Sequence, residues 1–104
     1  MTEERVETPA EFAVVDVPDR RRFEARLGST TIGFTQYAKR DDMIMLLHTE
    51  IDPSVEGQGF GSRLASGMLG ELLARGLSVI VRCPFIAAYV ERHADDYPTV
   101  EVRR

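Results

Sequence analysis

Apolar and polar residues alternate along the first half of the chain, and this pattern predicts four strands. The segments are rich in β-branched and aromatic residues and are separated by turn-forming residues. The predicted strands are Phe12–Val17, Arg21–Leu27, Thr30–Ala38 and Met43–Ile51. The short Gly28–Ser29 connection indicates a hairpin. The last of the four strands begins with residues that are apolar on both faces, which is typical of a central strand.

The period changes after Pro53 and becomes that of a helix. Apolar residues recur at helical spacing over a broad stripe, and they are Leu64, Ala65, Met68, Leu69, Leu72 and Leu73. Gly76 follows where the C′ residue of a helix belongs. Gly67 and Gly70 lie inside this helix, where each costs roughly 1 kcal/mol against alanine. We expect them to allow close packing on the sheet.

A buried strand and a second helix are predicted for the last third of the chain. The strand is Leu77–Cys83, and Pro84 suits the first turn of the helix that follows. One face of that helix carries Phe85, Ile86, Tyr89, Val90 and His93. Tyr97–Val100 is expected to form a last short extended segment.

The predicted order is therefore β-β-β-β-α-β-α, an α/β fold built on a mixed sheet. Met43–Ile51, the long helix and Leu77–Cys83 form a βαβ unit, so these two strands should lie parallel at the centre of the sheet. The earlier strands should be antiparallel.

Composition limits the classes of protein that fit. A chain of 104 residues forms one domain, here 1–104. The net charge of −4 and the pI of about 5.1 argue against a general nucleic-acid surface. Residues 1–7 show no apolar signal core, and no apolar stretch is long enough to span a membrane. A single cysteine excludes an internal disulfide framework and fits a reducing cytoplasm, where we expect the protein to lie. No metal site is predicted.

Three glycines in the stretch EGQGFG, Glu56–Gly61, fall where the long helix should begin. Backbone N–H groups at a helix N-terminus have no intrahelical partner and carry a partial positive charge, so a phosphate can bind there. The absence of side chains would let a ligand approach these amides. The stretch lacks the Gly-Lys-Ser/Thr of a nucleotide P-loop and the spacing of a dinucleotide fingerprint. The residues alone leave open both a phosphate site and a flexible helix start without a ligand.

The segment from Leu46 to His93 resembles the GNAT-type N-acetyltransferases, in particular their small YjdJ-type subgroup. These proteins hold pyrophosphate with Arg/Gln-x-x-Gly-x-Gly/Ala. Gly59 and Gly61 match that motif, whereas Glu56 replaces the basic or amide residue. The resemblance implies that acetyl-CoA (coenzyme A carrying the acyl group) binds in a cleft where two parallel strands splay apart.

The resemblance also implies which residues contact acetyl-CoA. They are Ile51, Glu56, Gly57, Gln58, Gly59, Phe60, Gly61, Ser62, Cys83 and Pro84. Main-chain groups near Ile51 would bind the pantetheine arm, and the second helix would flank the thioester. An acid at Glu56 is unfavourable beside pyrophosphate unless it points away. In many relatives a tyrosine of the second helix protonates the departing thiolate. Tyr89 is the candidate here, although it falls about one residue from the usual position.

Acetyl transfer needs a base that takes the proton of the amine. His48 and Glu50 project from one face of a strand, with Cα atoms roughly 7 Å apart, and could act jointly. The alternative is a satisfied, partly buried histidine beside a solvated charge. Cys83 could instead accept the acetyl group, because a helix N-terminus favours the thiolate. It could equally be a small buried apolar residue.

The chain is shorter than most GNAT domains, and it is expected to lack helices after the first strand and strands after the last helix. An open cleft would suit a bulky amine or a second subunit. Three functions remain open: an acetyl-CoA-dependent N-acetyltransferase, a non-catalytic acyl-CoA-binding or sensing module, and an interaction domain without cofactor. The expected partners are acetyl-CoA and an amine acceptor, with no nucleic acid and no membrane, in a monomer or weak homodimer.

Overall fold

The computed structural model describes residues 11–103 of the chain. Residues 1–10 and 104 lie outside this range, and so do the expectations about an N-terminal signal and about their part of the predicted domain. Within the described range, neither helix has the length and apolar character needed to cross a bilayer.

Within residues 11–103, six strands and two α-helices follow one another in the order β-β-β-β-α-β-α-β. The strands are β1 (Phe12–Val17), β2 (Arg22–Leu27), β3 (Thr30–Arg40), β4 (Met43–Ile51), β5 (Ser78–Val81) and β6 (Glu101–Val102). The helices are α1 (Phe60–Ala74) and α2 (Pro84–Arg92). The predicted bounds of β1 and β4 are confirmed, and β2 and β3 each differ at one end. The Gly28–Ser29 hairpin is also confirmed.

The strands form one sheet in the order β1-β2-β3-β4-β5-β6. The first four are antiparallel, and β4 and β5 are parallel, as predicted. The predicted order was incomplete, because β6 follows α2 and pairs in parallel with β5. The chain therefore does have a strand after its last helix, and the parallel part lies toward one side of the sheet rather than at its centre. Tyr97–Val100 is a turn rather than an extended segment, closed by a bond from the Val100 N–H to the Tyr97 carbonyl.

Both helices pack on the same face of the sheet. α1 and α2 bury Leu64, Met68, Leu72, Ile86 and Val90 in one cluster with Phe23, Ala25, Leu46 and Val81 of the strands. Neither helix covers the opposite face, which is called the open face below. Met43 and Leu47 of β4 are each 40% exposed there. β4 is an inner strand, as expected, but only its helix-facing side chains at this end are buried.

A β-bulge at Leu47 changes the side of the sheet that successive residues of β4 face. Gln36 pairs with His48 and Tyr37 with Leu46, which leaves Leu47 without a partner on β3. Before the bulge, even-numbered residues such as Leu46 face the helices. After it the odd-numbered residues do, because Thr49 pairs with Thr35 of the buried face.

Only one of the two helix glycines permits close packing. A Cβ atom on Gly67 would lie 2.8 Å from Cγ2 of Val14, so α1 approaches β1 more closely than a larger residue would allow. A Cβ atom on Gly70 would meet nothing within 4 Å. The expectation is confirmed for Gly67 and wrong for Gly70.

Candidate acyl-CoA cleft

The two parallel strands separate beyond Leu46. Register between β4 and β5 ends at Leu46 and Val81. The N–H groups of Arg82 and Cys83 both donate to the Leu46 carbonyl oxygen, at 2.9 and 3.1 Å. β4 continues to Ile51, while the segment after β5 turns away into α2. A gap therefore opens beside the second half of β4.

The loop between β4 and α1 is shaped by a short turn and two glycines. The Asp52 carboxylate accepts a hydrogen bond from the Ser54 backbone N–H at 2.9 Å, which lowers the pKa of Asp52. Gly57 and Gly59 adopt φ values of 83° and 82°, in the left-handed region that side-chain-bearing residues rarely occupy. These two glycines are therefore needed for the backbone path that leads into the helix.

The N-terminus of α1 has no side-chain cap. Gly59 is the N-cap residue and offers no side chain, and no acidic residue lies in the first turn. The first N–H groups of a helix have no intrahelical acceptor and lie at the positive end of its dipole. The start of α1 thus provides donors for an anionic group in the cleft.

A cleft of about 520 Å³ lies between this loop, the end of β4 and the start of α2. It is lined by Thr49, Ile51, Val55, Glu56, Gly57, Gly59, Phe60, Gly61, Ser62 and Phe85. Seven of these were predicted from sequence. Gln58, Cys83 and Pro84 were also predicted, but they are not among the lining residues. Glu56 is exposed and belongs to the lining.

Gly61 makes room for a protein side chain. A Cβ atom at this position would lie 2.4 Å from Cζ of Phe85, the aromatic residue at the start of α2. Phe85 is 41% exposed, although the helical spacing groups it on one face with Ile86 and Val90, which are buried. The ring therefore forms the wall of the cleft on the side of α2 and lies against the start of α1.

Cys83 lies beneath the cleft. It is 2% exposed, and its Sγ–H donates to the Thr49 hydroxyl oxygen at 3.1 Å. Thr49 in turn shares a 2.8 Å hydrogen bond with the buried Thr35. Thr49 is thus the residue through which Cys83 is connected to the cleft.

His48 and Glu50 are paired on the open face of the sheet. Nε2 of His48 lies 2.9 Å from Oε2 of Glu50, and the two side chains are 55% and 63% exposed. The predicted shared face is confirmed, but it is the face opposite Thr49 and Ile51. A second hollow, of about 470 Å³, adjoins Glu50 and shares Ile51 with the cleft. Any group that reaches this pair from the cleft has to pass through the gap beside β4.

Tyr89 lies elsewhere. Its ring is 4.3 Å from that of His93 and 6.0 Å from that of Tyr97, and the residue is 8% exposed. Burial and then a hydrogen bond with Tyr89 raise the pKa of Tyr97 to about 12. Tyr89 is not among the cleft-lining residues, so the structure does not bring the predicted acid to the site.

Three cleft residues were not predicted from sequence, namely Thr49, Val55 and Phe85. Thr49 could have been found by combining strand alternation with Ile51, which lies two positions further along the same face. Phe85 follows Pro84 directly, and its helical spacing gives no sign that its ring is partly exposed. Val55 lies in a short 3₁₀ turn for which the sequence shows no period.

Comparison with known protein families assigns the chain to one of them. The family described as GCN5-related N-acetyl-transferase matches residues 22–100, which is most of the sequence. No curated protein sequence matches the chain. The matched region runs from β2 to the turn before β6 and includes the whole glycine loop and both helices. With a mixed sheet whose parallel strands separate beside an uncapped helix, this match shows that the chain belongs to the GCN5-related N-acetyl-transferase family.

Proposed function

We propose that the protein is an acetyl-CoA-dependent N-acetyltransferase that acts on an amine. The observation that carries the proposal is the uncapped N-terminus of α1, reached through two left-handed glycines and facing a cleft where β4 and β5 separate. Bound there, acetyl-CoA would supply a thioester carbonyl as the acyl donor. Cys83–Pro84 and Glu56 support the finer assignment to the small YjdJ-type subgroup.

The residues of the cleft fit the parts of acetyl-CoA. N–H groups of Gly61 and Ser62 in the first turn of α1 would bind the pyrophosphate. The edge of β4 near Ile51, which β5 leaves free, would bind the amides of the pantetheine arm. Phe85 would cover the arm from the side of α2. Glu56 would have to turn its carboxylate toward solvent.

His48 and Glu50 would act as the base. Their 2.9 Å contact allows the imidazole to accept a proton from the amine while the carboxylate stabilises the imidazolium. Both are exposed on the open face, so an acceptor amine could reach them without crossing the helices. The carboxylates of Glu50 and Asp52 beside the second hollow would attract a cationic amine. The acceptor would then approach from the face opposite the glycine loop.

Cys83 supports direct transfer rather than an acetylated enzyme. The thiol is buried and commits its hydrogen to Thr49, and no base is among its hydrogen-bond partners within residues 11–103. The helix dipole at the N-terminus of α2 favours a thiolate, but nucleophilic attack also needs a base that takes the proton of the thiol. We therefore assign Cys83 a structural role under the cleft. A Cys83→Ala variant that keeps at least roughly a tenth of the wild-type turnover would support this assignment, and complete loss of turnover would favour the thiol route.

Calorimetry with acetyl-CoA tests the proposal. The wild-type protein should bind in the micromolar range, and a Gly59→Ala variant should bind at least about 10-fold more weakly because alanine strains the left-handed backbone. Gly70→Ala is the matched control, since this glycine is helical and faces open space. Absence of binding at hundreds of micromolar would rule out both the enzyme and a CoA-binding module.

A non-catalytic acyl-CoA-binding or sensing module is the second candidate. It is favoured by Glu56, an acid that lines the cleft and occupies the position at which the pyrophosphate motif of the family has Arg or Gln. Release of free thiol from acetyl-CoA in the presence of a lysine-peptide library distinguishes the two functions. Binding without any thiol release would favour the module.

A further inference from the structure

A chain of three hydrogen-bonding side chains leads from the core to the cleft. Thr35 is fully buried, at 0% exposure, and its Oγ1 lies 2.8 Å from Oγ1 of Thr49. Within residues 11–103 this is the one hydrogen bond formed by the Thr35 hydroxyl. A buried hydroxyl hydrogen without an acceptor is strongly unfavourable. Thr35 therefore donates this bond, and Thr49 accepts it.

Thr49 accepts a second hydrogen bond from the opposite partner. The Sγ–H of Cys83 donates to Oγ1 of Thr49 at 3.1 Å. A hydroxyl oxygen has two lone pairs and one hydrogen. Both lone pairs of Thr49 are then occupied from the buried side, and its own hydrogen remains. No other described residue accepts it.

The remaining hydrogen of Thr49 has one direction left. Because the two buried partners occupy the lone pairs, the O–H bond is directed away from them. Thr49 is partly exposed, and on that side it lines the cleft next to Ile51. Thr35 and Cys83 thus fix a hydroxyl donor at the point where β4 leaves β5.

We infer that Thr49 is a catalytic residue whose hydroxyl donates a hydrogen bond to the carbonyl oxygen of an acyl thioester bound in the cleft. The inference rests on the proposed function and adds a role that its base and phosphate site do not supply. A donor held in place before the reaction stabilises the charge that develops on the oxygen without reorganisation. Thr35 and Cys83 are positioning residues, because they orient the hydroxyl of Thr49.

In the transfer step, the acyl group moves from the thioester sulfur to the amine nitrogen. The amine nitrogen bonds to the acyl carbon, and the carbonyl π electrons move to the oxygen that Thr49 contacts. That electron pair then re-forms the carbonyl as the carbon–sulfur bond breaks and the sulfur leaves as a thiolate. The His48–Glu50 pair takes the amine proton, and solvent protonates the thiolate.

Infrared spectroscopy tests the hydrogen arrangement without any ligand. The S–H stretch of Cys83 in the free protein should move to higher frequency in Thr49→Val, where the thiol loses its acceptor, and should stay near the wild-type value in Thr49→Ser. Thr30→Val is a matched control, because Thr30 is exposed in the β2–β3 hairpin. An S–H stretch that is unchanged in Thr49→Val overturns the inference.

The same variants are then examined with acetyl-CoA carrying a ¹³C-labelled carbonyl. The thioester C=O stretch should shift to lower frequency on binding to wild type and to Thr49→Ser, but not on binding to Thr49→Val. The kcat of Thr49→Val should fall about 100-fold, as for the loss of one oxyanion donor. Its Kd for free CoA should remain unchanged.

The possible outcomes separate the two proposals. If wild type does not bind acetyl-CoA, the proposed function fails and the role of Thr49 fails with it. If wild type binds and turns over but Thr49→Val keeps its kcat and its C=O frequency, the role of Thr49 alone is overturned. A loss of kcat in Thr49→Val with rescue in Thr49→Ser supports both.

Discussion

The ring of Phe85 lies against the backbone of Gly61, so closely that a Cβ atom there would come 2.4 Å from Cζ and 3.0 Å from Cε2 of the ring. We expect Gly61→Ala to move the ring into the cleft. The gain in helix propensity, roughly 1 kcal/mol, should offset much of the strain, so the free energy of unfolding should change little. The Kd for acetyl-CoA should rise about 10-fold by calorimetry.

The cause of that loss can be isolated with a double variant. In a Phe85→Ala background, Gly61→Ala should have little further effect on Kd, because no ring remains to be displaced. Gly70→Ala, on the same helix with open space at its Cβ, serves as the control. Equal losses in both backgrounds would contradict the proposed contact.

Gly33 permits β3 to approach the end of β4. A Cβ atom at Gly33 would lie 2.8 Å from the Glu50 carbonyl oxygen and 2.6 Å from Cδ1 of Ile51. We predict that Gly33→Ala lowers the free energy of unfolding by about 1–3 kcal/mol, measured by urea denaturation. Adding Ile51→Val removes Cδ1 but leaves the carbonyl oxygen, so it should restore only part of the loss. Full restoration would mean that the backbone contact is unimportant.

Glu24 is a buried carboxylate, 3% exposed, held between Arg22 and Arg26 at 2.8 Å from each. Burial alone would raise its pKa, but the hydrogen bonds from Arg26 and Arg22 outweigh this and lower it. The folded state therefore favours the ionised form. The resulting stability is complete above the unfolded pKa of about 4.3 and is lost as the pH falls through the folded value.

We expect Glu24→Gln to lower the free energy of unfolding at pH 7 by about 2 kcal/mol, less than for a fully buried pair because both arginines are partly exposed. The difference from wild type should shrink below about pH 4. Glu71→Gln, which removes an exposed partner of Arg75, should cost less than about 1 kcal/mol. A difference in the free energy of unfolding that stays constant down to about pH 2 would contradict this explanation.

Tyr89→Phe tests the assignment of Tyr89 to a structural cluster. Tyr97 has a pKa raised to about 12, so its neutral form stabilises the fold below pH 10 and this contribution is lost as the pH rises from 10 toward 12. Without the Tyr89 hydroxyl, the pKa of Tyr97 in an ultraviolet titration should fall, and the alkaline loss of stability should become smaller. Turnover should stay within about 2-fold of wild type. A loss of turnover of about 100-fold would instead indicate that Tyr89 is the general acid.

Glu50→Gln tests the base on the open face. The variant keeps a hydrogen-bond acceptor for His48 but loses the charge that stabilises the imidazolium. We expect kcat to fall about 100-fold, while the Kd for acetyl-CoA stays within about 2-fold. Gln36→Ala removes the exposed neighbour of His48 on the same face and is the matched control. A parallel loss in Gln36→Ala would indicate a general disturbance of this surface.

Local sequence signals were sufficient for most of the fold. Strand β1 ends just before Pro18, β2 and β3 meet at Gly28–Ser29, and α2 begins at Pro84, because proline and glycine impose these breaks on the backbone. β6 was missed because a strand of two residues is too short to show a period. Its position depends on pairing with β5, which no local pattern reveals.

The glycine loop and the His48–Glu50 pair could be predicted, but their relation to each other could not. Uninterrupted alternation from Leu46 would have put His48 and Glu50 on the helix-facing side. The bulge at Leu47 reverses this, and it arises from the register with β3 rather than from any residue typical of a bulge. The spacing of α2 groups Phe85 with the apolar face of the helix, whereas its ring is partly exposed and lies against Gly61, which has no side chain to displace it.

The Leu46 carbonyl oxygen, with the N–H groups of Arg82 and Cys83 bound to it, fixes where the two strands part before any ligand arrives. The free protein therefore needs no opening motion, and association should follow a single exponential with a rate that rises linearly with acetyl-CoA concentration. Amide exchange at Arg82 and Cys83 should be slow with and without ligand. The cleft beside the two strands would then bind acetyl-CoA without changing its shape.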